Sequence, residues 1–348
     1  MSKKINVLFF GNTPNNNESK SFGGATILAL NILNYIKNSN DYHVTHYNIR
    51  KTWIPKLHLI DHLFWIFKFP FVIKEKDIIS FHTTWDFNFT VGPILWLISK
   101  IYRKKIVYHF FGGDFHEHYS KLPSVLKKIY FNTILKSDTL FFETNESLRY
   151  FEKLGVKNLE WLPNAREKMI SVLEDKLFRK KFVFISRIIP EKGVDEIIRV
   201  SNELNDDFTF DLYGPIDKRY MGVNSFIGGK AKYKGEIKPS EVGSILKQYD
   251  ILVLPTFFSG EGYPGIIIEA LSYGIPVITT NWKAIPEIII DGYNGILISP
   301  QNSDELRKAI ESIDTSNYNV FRVNAFKSFD NFDSEIVFKK IIKSYSDD

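Results

Sequence analysis

The strongest constraint on this chain is a rhythm. Short apolar runs alternate with segments whose apolar residues recur every three or four positions, and the pattern starts again halfway along. Short buried runs mark strands of a parallel sheet, and the 3.6-residue period marks the helices that cross between them. Strands are expected at Ile5–Phe10, Val44–Asn48, Ile78–Phe81, Ile106–His109, Thr139–Glu143 and Leu159–Leu162. The second series runs Phe182–Ser186, Phe208–Tyr213, Ile251–Leu254, Pro276–Thr279 and Ile296–Ile298. Between them, Ala25, Leu28, Ile32 and Ile36 make one apolar stripe, and Ser124–Ser137 and Asn145–Leu154 read as helices, with Asn145 as N-cap and Gly155 at C′. In the second half, helices are expected at Gly193–Leu204, Pro239–Tyr249, Gly265–Tyr273 and Ser303–Ile313. The class is α/β: two Rossmann-like, doubly wound parallel-sheet domains, expected to face each other across a cleft. They span residues 1–170 and 171–325, joined near Pro163–Leu177. Residues 326–348 read as a C-terminal helix, with Phe332, Ile336, Phe338, Ile341, Ile342 and Tyr345 as its apolar positions, expected to pack back on the first domain.

A length of 348 residues suits two domains. The absence of cysteine excludes disulfides, zinc-thiolate sites, iron–sulfur clusters and a cysteine nucleophile, and fits a reducing, cytoplasmic compartment. The apolar run after Lys3 and Lys4 is too short for a signal peptide. The nearest approach to a membrane span, Leu63–Ile73, is short and broken by Lys68 and Pro70. A net charge of +5 hides a split: +9 over residues 1–170 and −4 over 171–348. That asymmetry points to an acidic partner for the first half.

Ligands bind at the carboxyl ends of strands in such sheets, so the loops there carry the chemistry. After Ile251–Leu254 come Glu261, Gly262, Tyr263, Pro264 and Gly265, and then Glu269 about one turn into a helix. The tight loop leaves bare N–H groups at a helix N-terminus, which favour anions, and the two carboxylates can accept from sugar hydroxyls. After Phe182–Ser186, Arg187 and Lys192 precede a helix and could clamp a diphosphate. Gly23-Gly24 opens the first helix, where bare backbone could approach a phosphate or an acceptor; a simple turn is the plainer alternative. His109, Asp114, His116 and His118 crowd one segment, but no second ligand cluster accompanies them, and no metal site is expected. His109 or Asp114 could touch the donor sugar or act on the acceptor. Neither G-x-G-x-x-G after the first strand nor G-x-x-x-x-G-K-[ST] occurs, which argues against a nicotinamide dehydrogenase and a P-loop NTPase.

These residues resemble the retaining, glycogen-synthase-like GT-B glycosyltransferases (glycosyltransferase family 4, glycosyl transferases group 1). The likeness rests on Glu261 and Glu269 with seven residues between, on Ser186-Arg187 through Lys192-Gly193, and on Gly23-Gly24. Gly274–Thr280, Pro286-Glu287, Asp291–Gly295 and Leu162-Pro-Asn164 add to it. It covers nearly the whole chain, and is sharper in 180–300 than in 1–160. The resemblance implies transfer of a sugar from a nucleotide-diphosphate-sugar to a hydroxyl of a glycan or lipid-linked acceptor, as in cell-surface polysaccharide biosynthesis. It implies that Arg187 and Lys192 hold the diphosphate, that Glu261 and the backbone of Gly262–Gly265 hold the donor sugar, and that Glu269 binds the ribose. The loop Tyr233–Ile237 would lie by the base. It further implies retention of anomeric configuration without a metal or other cofactor, the cationic pair standing in for magnesium. One departure is Phe111, which stands where relatives often carry a histidine; His109, two residues earlier, could substitute.

Trp53, Phe64, Trp65, Phe67, Phe69 and Phe71 interleave with Lys51, Lys56, Lys68, Lys74 and Lys76, and Trp96–Lys105 repeats the mixture. Aromatic residues among lysines suit a membrane interface, so the first domain is expected to dock on the inner membrane face, with plain core packing as the competing explanation. No nucleic-acid module is present. Two alternatives to a transferase are a sugar-nucleotide epimerase on the same fold and a non-catalytic nucleotide-sugar-binding protein.

Overall fold

Ile5–Gly11 forms the first strand, β1, because Val7, Leu8, Phe9 and Phe10 are all buried, which only a central strand covered on both faces provides. The computed structural model describes residues 4–15, 23–50, 58–218, 220 and 229–346. Tyr42–Tyr47 (β2), Ile78–Thr83 (β3), Lys105–Phe110 (β4), Thr139–Phe142 (β5) and Leu159–Trp161 (β6) complete a parallel sheet ordered β2-β1-β3-β4-β5-β6. A second parallel sheet holds Lys181–Ile185 (β7), Thr209–Tyr213 (β8), Ala231–Gly235 (β9), Ile251–Leu254 (β10), Val277–Thr280 (β11) and Gly295–Ile298 (β12). Its order is β12-β11-β10-β7-β8-β9. The fold is α/β with two doubly wound, Rossmann-like domains, each with one point where the strand order reverses: β1/β3 in the first sheet and β7/β10 in the second.

The chain divides at Pro163/Asn164 and returns to the first unit at Val337, against the expected 170/171 and 326. The reason lies in local bonding. Asn164 and Arg166 bond to second-unit residues Tyr263 and Glu269, and Arg166 pairs with Asp333. The last helix is likewise not continuous: Phe329–Phe332 is a 3-10 turn, Ser334–Val337 is one short helix and Lys339–Tyr345 another.

In the first sheet the two-residue period sorts side chains by face. Phe10, Phe81, Tyr108, Phe110 and Phe142 face a row of helices that includes His58–Val72, Gly92–Ile101, Ser124–Phe131 and Asn145–Lys153. Phe10 meets Trp65 edge-on at 4.6 Å, and Phe142 stacks on Phe151 at 5.0 Å. Each such buried ring contributes roughly 1.5–3 kcal/mol. The opposite face carries Phe9, Ser80, His82 and His109, under the helix Gly24–Lys37 and the C-terminal helix. Tyr345 donates to Ser80 Oγ at 2.7 Å, Ser80 Oγ lies 2.9 Å from His82 Nε2, and His82 Nδ1 lies 3.3 Å from His109 Nδ1. Phe9 stacks on His82 at 4.1 Å.

Several elements differ from expectation for physical reasons. Thr144, not Asn145, caps Asn145–Lys153, accepting from Ser147 N at 3.3 Å; Gly155 follows at φ +79°. The helix from Ser124 stops at Phe131 because Asn132 and Thr133 bond back to the carbonyls of Lys128 and Ile129. β9 is an added edge strand whose lysines, Lys232 and Lys234, suit an exposed edge. Tyr233 therefore belongs to a strand, and its hydroxyl donates to Gly214 O at 2.9 Å. Thr315–Ser328 is an added helix, held by Asp314, whose carboxylate accepts from Ser316 N and Asn317 N.

Gly193 has φ +76°, and a Cβ there would lie 2.3 Å from the Pro255 carbonyl oxygen. Gly155 has φ +79° with open space around it. Gly155→Ala is expected to cost about 1–2 kcal/mol, the left-handed penalty alone. Gly193→Ala should cost clearly more, read from urea midpoints; equal losses would mean that the loops part freely.

Burial depresses the His109 pKa to about 3 and holds that of His82 well below 6.5, the latter helped by His109 and His46. Both rings are neutral in the folded chain. As pH falls below 6.5 the unfolded chain gains protons that the folded chain does not, so stability present above pH 6.5 is lost toward pH 3. For His109 alone the loss at pH 5 is about 2 kcal/mol. His109→Leu should shrink by that amount the stability difference between pH 7.5 and pH 5; an unchanged difference would show a protonated ring in the native protein.

Candidate active site

The reversal between β7 and β10 places two loops side by side at the carboxyl ends of these strands. After β7 the chain runs through Ser186 and Arg187, makes the 3-10 turn Pro190–Lys192, and enters the helix Val194–Glu203 through Gly193. After β10 it runs from Pro255 to the helix Gly265–Ser272. The loops are tied by backbone and hydroxyl: Phe257 N donates to Glu191 O at 2.8 Å and Thr256 Oγ1 to the same oxygen at 3.2 Å. The missing Cβ of Gly193 lets Pro255 come this close.

This packing brings three of the expected residues together. Lys192 Nζ pairs with Glu261 Oε2, and Thr256 Oγ1 donates to that same oxygen at 2.7 Å. Lys192 is 7% exposed and Glu261 9%, so the pair is largely withdrawn from water. Phe258 lies beneath both cations, its ring centre 5.0 Å from Lys192 Nζ and 5.2 Å from the Arg187 guanidinium carbon. Trp282 Nε1 fixes the Phe258 carbonyl at 2.9 Å. Arg187 itself is exposed and free to meet a ligand. The arrangement offers an exposed and a buried cation, a carboxylate between loops and an aromatic floor, which together suit an anion linked to a polyol.

The next loop residues are held in place. Tyr263 is buried, donates to Glu287 Oε2, and accepts at its carbonyl from Asn164 Nδ2 at 3.1 Å. Pro264 is the N-cap of the helix opened by Gly265, and half-buried Gly262 precedes them. Glu269 does not join the Lys192–Glu261 group. Its Oε1 accepts from Arg166 Nε at 2.7 Å, and Arg166 also bonds Asn164 Oδ1 at 2.6 Å. A Cβ at Gly265 would stand 1.9 Å from Arg166 Nη2, so a side chain there would displace the guanidinium that bonds Glu269 and Asn164. Sequence reasoning missed Arg166 and Thr256. The one sequence signal for Arg166 is its position two residues after Leu162-Pro-Asn164.

The remaining expected residues lie in the first unit. Gly23 and Gly24 open the helix Gly24–Lys37, with no atom of the described residues within 4 Å of where a Cβ would stand, and Thr26 Oγ1 donates to Gly23 O at 3.0 Å. Ser21 and Phe22 before them, and Trp53, Lys51 and Lys56, lie outside the described residues. His109 is a correction. It is wholly buried within the sheet face, opposite His82, and presents no atom to a ligand; Phe111 is buried beside it. His116 bonds Ser147 Oγ at 2.8 Å, and His118 lies 3.2 Å from Asp114 Oδ2 and stacks on Trp85. Among the described residues no group of three or more His, Asp or Glu is placed to hold a metal ion.

The β1/β3 reversal carries a polar cluster that sequence reasoning did not find. Asp86 pairs with Arg50, accepts from Thr84 Oγ1 at 2.5 Å and lies 4.0 Å from His62 Nε2. Burial alone would raise the Asp86 pKa, but Arg50, Thr84 and His62 together outweigh it and hold the carboxyl low.

Residues 179–315, a span that contains the whole second sheet, match the family model described as glycosyl transferases group 1. An uncharacterized glycosyltransferase of Methanocaldococcus jannaschii is 24% identical over 357 residues, covering 92% of this chain and 88% of that one. A Campylobacter jejuni protein named N,N'-diacetylbacillosaminyl-diphospho-undecaprenol alpha-1,3-N-acetylgalactosaminyltransferase is 25% identical over 168 residues, 47% of this chain and 43% of that one. The crystal structure of Anabaena HepE in complex with UDP superposes with a TM-score of 0.74 at 17% identity, covering 98% of this chain and 99% of that one. The match to group 1 is confined to residues 179–315, and the full-length likeness to solved structures is one of fold, two Rossmann-like parallel-sheet domains as in the GT-B glycosyltransferases.

Proposed function

We propose that this protein is a retaining, metal-independent glycosyltransferase of family 4, a hexosyltransferase acting in cell-surface polysaccharide biosynthesis on the cytoplasmic side. The observation that carries the reading is the Lys192–Glu261 pair beside Arg187 at the β7/β10 reversal, within the region matched to group 1. In this reading the donor is a nucleotide-diphosphate-sugar. The diphosphate meets Arg187 and Lys192, whose charge offsets the negative charge that develops as the bond to the leaving phosphate oxygen breaks. That is the work a divalent cation would otherwise do, and no metal or other cofactor enters the proposed step. Glu261 and the N–H groups of Gly262–Gly265 hold the sugar, and Glu269, oriented by Arg166, takes the ribose hydroxyls. The acceptor oxygen bonds to the anomeric carbon on the face that the diphosphate leaves, and its proton passes to the departing phosphate oxygen. His109 has no part in this scheme.

UDP-sugars are the donors to test first, because UDP is bound in the HepE structure. A glycan or lipid-linked acceptor is suggested by the diphospho-undecaprenol in the name of the Campylobacter relative. The epimerase and the non-catalytic readings draw no support from these relatives.

With a panel of nucleotide-sugars, one donor is expected to raise the melting temperature and to be consumed only with acceptor, giving a product of unchanged anomeric configuration, with or without a chelator. Arg187→Ala, Lys192→Ala and Glu261→Ala should each lower turnover at least ten-fold, with the exposed Arg187 as the variant least able to disturb the fold. Wild-type rates in all three would refute the assignment, and free epimerised donor would favour the epimerase.

A further inference from the structure

The helix His58–Val72 is apolar on both sides. Trp65 and Phe69 face inward to the core, and Ile73 just beyond the helix joins them. Ile60, Leu63, Phe64, Phe67 and Phe71 follow the same helical spacing outward and remain 46–76% exposed. A helix apolar all round is normally covered on both sides. Its neighbour Gly92–Ile101 repeats the pattern with Ile94, Leu97 and Ile101 at 42–69%, and Ser124–Phe131 does so with Val125 and Ile129. The crossovers β2 to β3, β3 to β4 and β4 to β5 all step in one direction along the sheet, so right-handedness sets the three helices on one face. The first two touch, and the turn Ile134–Lys136 joins the second to the third. An exposed apolar surface of this extent marks an interaction site.

Charge identifies the occupant. Residues 58–76, 92–105 and 121–136 hold eleven Lys and Arg against two acids, while the rest of 1–170 holds twelve of each. The whole +9 of the first half thus lies in these three segments, which carry the exposed apolar helices and whose Lys100 is taken by Asp138 at 2.8 Å. A second copy of this chain would bring like charge against it. An anionic bilayer supplies both an apolar layer and a negative surface. Lysines stand among the aromatic rings, as a membrane interface favours: Lys68 Nζ lies 5.2 Å from the Trp65 ring centre and Lys74 Nζ 5.7 Å from the Phe71 ring centre. No helix among the described residues is long and apolar enough to cross a membrane, so contact would be in the plane of the interface.

We infer that this face docks on an anionic phospholipid bilayer, with Phe67, Phe71, Leu97 and Ile101 entering the boundary between headgroups and acyl chains. None of the residues assigned to the donor is involved, so the inference stands apart from the transferase reading.

Flotation with phosphatidylglycerol–phosphatidylcholine vesicles, without any nucleotide-sugar, tests it. The protein should float with these vesicles, should not float with phosphatidylcholine alone, and should be released by salt. Phe67→Asp with Phe71→Asp should lower the bound fraction at least ten-fold at an unchanged melting temperature, since both side chains are exposed. Lys121→Glu with Lys128→Glu should weaken binding by at least about five-fold, the worth of a single cation at an anionic leaflet. No flotation at any ionic strength overturns the inference. So does equal binding of wild type and both variants. A dimer in light scattering that Phe67→Asp with Phe71→Asp splits, with no vesicle binding, would assign the face to self-association instead.

Discussion

The second domain is organised by the contact between the β7 loop and the β10 loop. Gly193, in the left-handed region, stands against the Pro255 carbonyl, and Glu191 O accepts from both Phe257 N and Thr256 Oγ1. Every later feature of the site follows from that distance. It sets Lys192 against Glu261, places Phe258 under two cations, and leaves Arg187 outside. Burying an ion pair costs several kcal/mol per ion in desolvation and is often no more stabilising than an apolar pair. Here one of the two charges is further satisfied by Thr256. A sequence seeking stability alone had apolar choices at both positions, so the pair is better explained by what a ligand would exchange with it.

Most of the strand plan was legible because a central parallel strand must be apolar on both faces, and few other structures require that. β9 escaped because an edge strand alternates, and Ala-Lys-Tyr-Lys-Gly carries charges on its open side. Thr315–Ser328 escaped because Val320 and Val323 are exposed while Tyr318 and Arg322 are buried, which blurs the apolar stripe. The loops after β7 and β10 were legible as a site because glycines, acids and bases cluster at strand ends there. Arg166 was not, since its partner Glu269 lies 103 residues away and no local pattern links them. The junction was misplaced for the same reason: what assigns Asn164 and Arg166 to the second unit is tertiary bonding.

His109 shows the opposite failure. Spacing alone put a histidine two residues before the position where a functional one was sought, and a strand does keep residues 109 and 111 on one face. The face is the covered one. His109 meets His82, His82 meets Ser80, and Ser80 meets Tyr345 of the C-terminal helix. A polar chain inside a core is costly unless its members bond one another; these do, with His109 Nε2 left without a partner among the described residues, and burial keeps both imidazoles neutral. The effect is to tie the last helix of the chain to the centre of the first sheet.

The charge split seen in the sequence now has two separate causes. The second half is acidic overall, so attraction of an anionic donor cannot come from its bulk charge; it has to come from Arg187 and Lys192 placed at one point, with Glu261 answering one of them. The first half is basic only along three helices and neutral elsewhere. Charge is screened beyond roughly 8 Å at physiological ionic strength, so a cation has to stand near the group it attracts. Each domain must therefore place its cations where they act: two beside a loop in one, and a broad field beside exposed phenylalanines in the other.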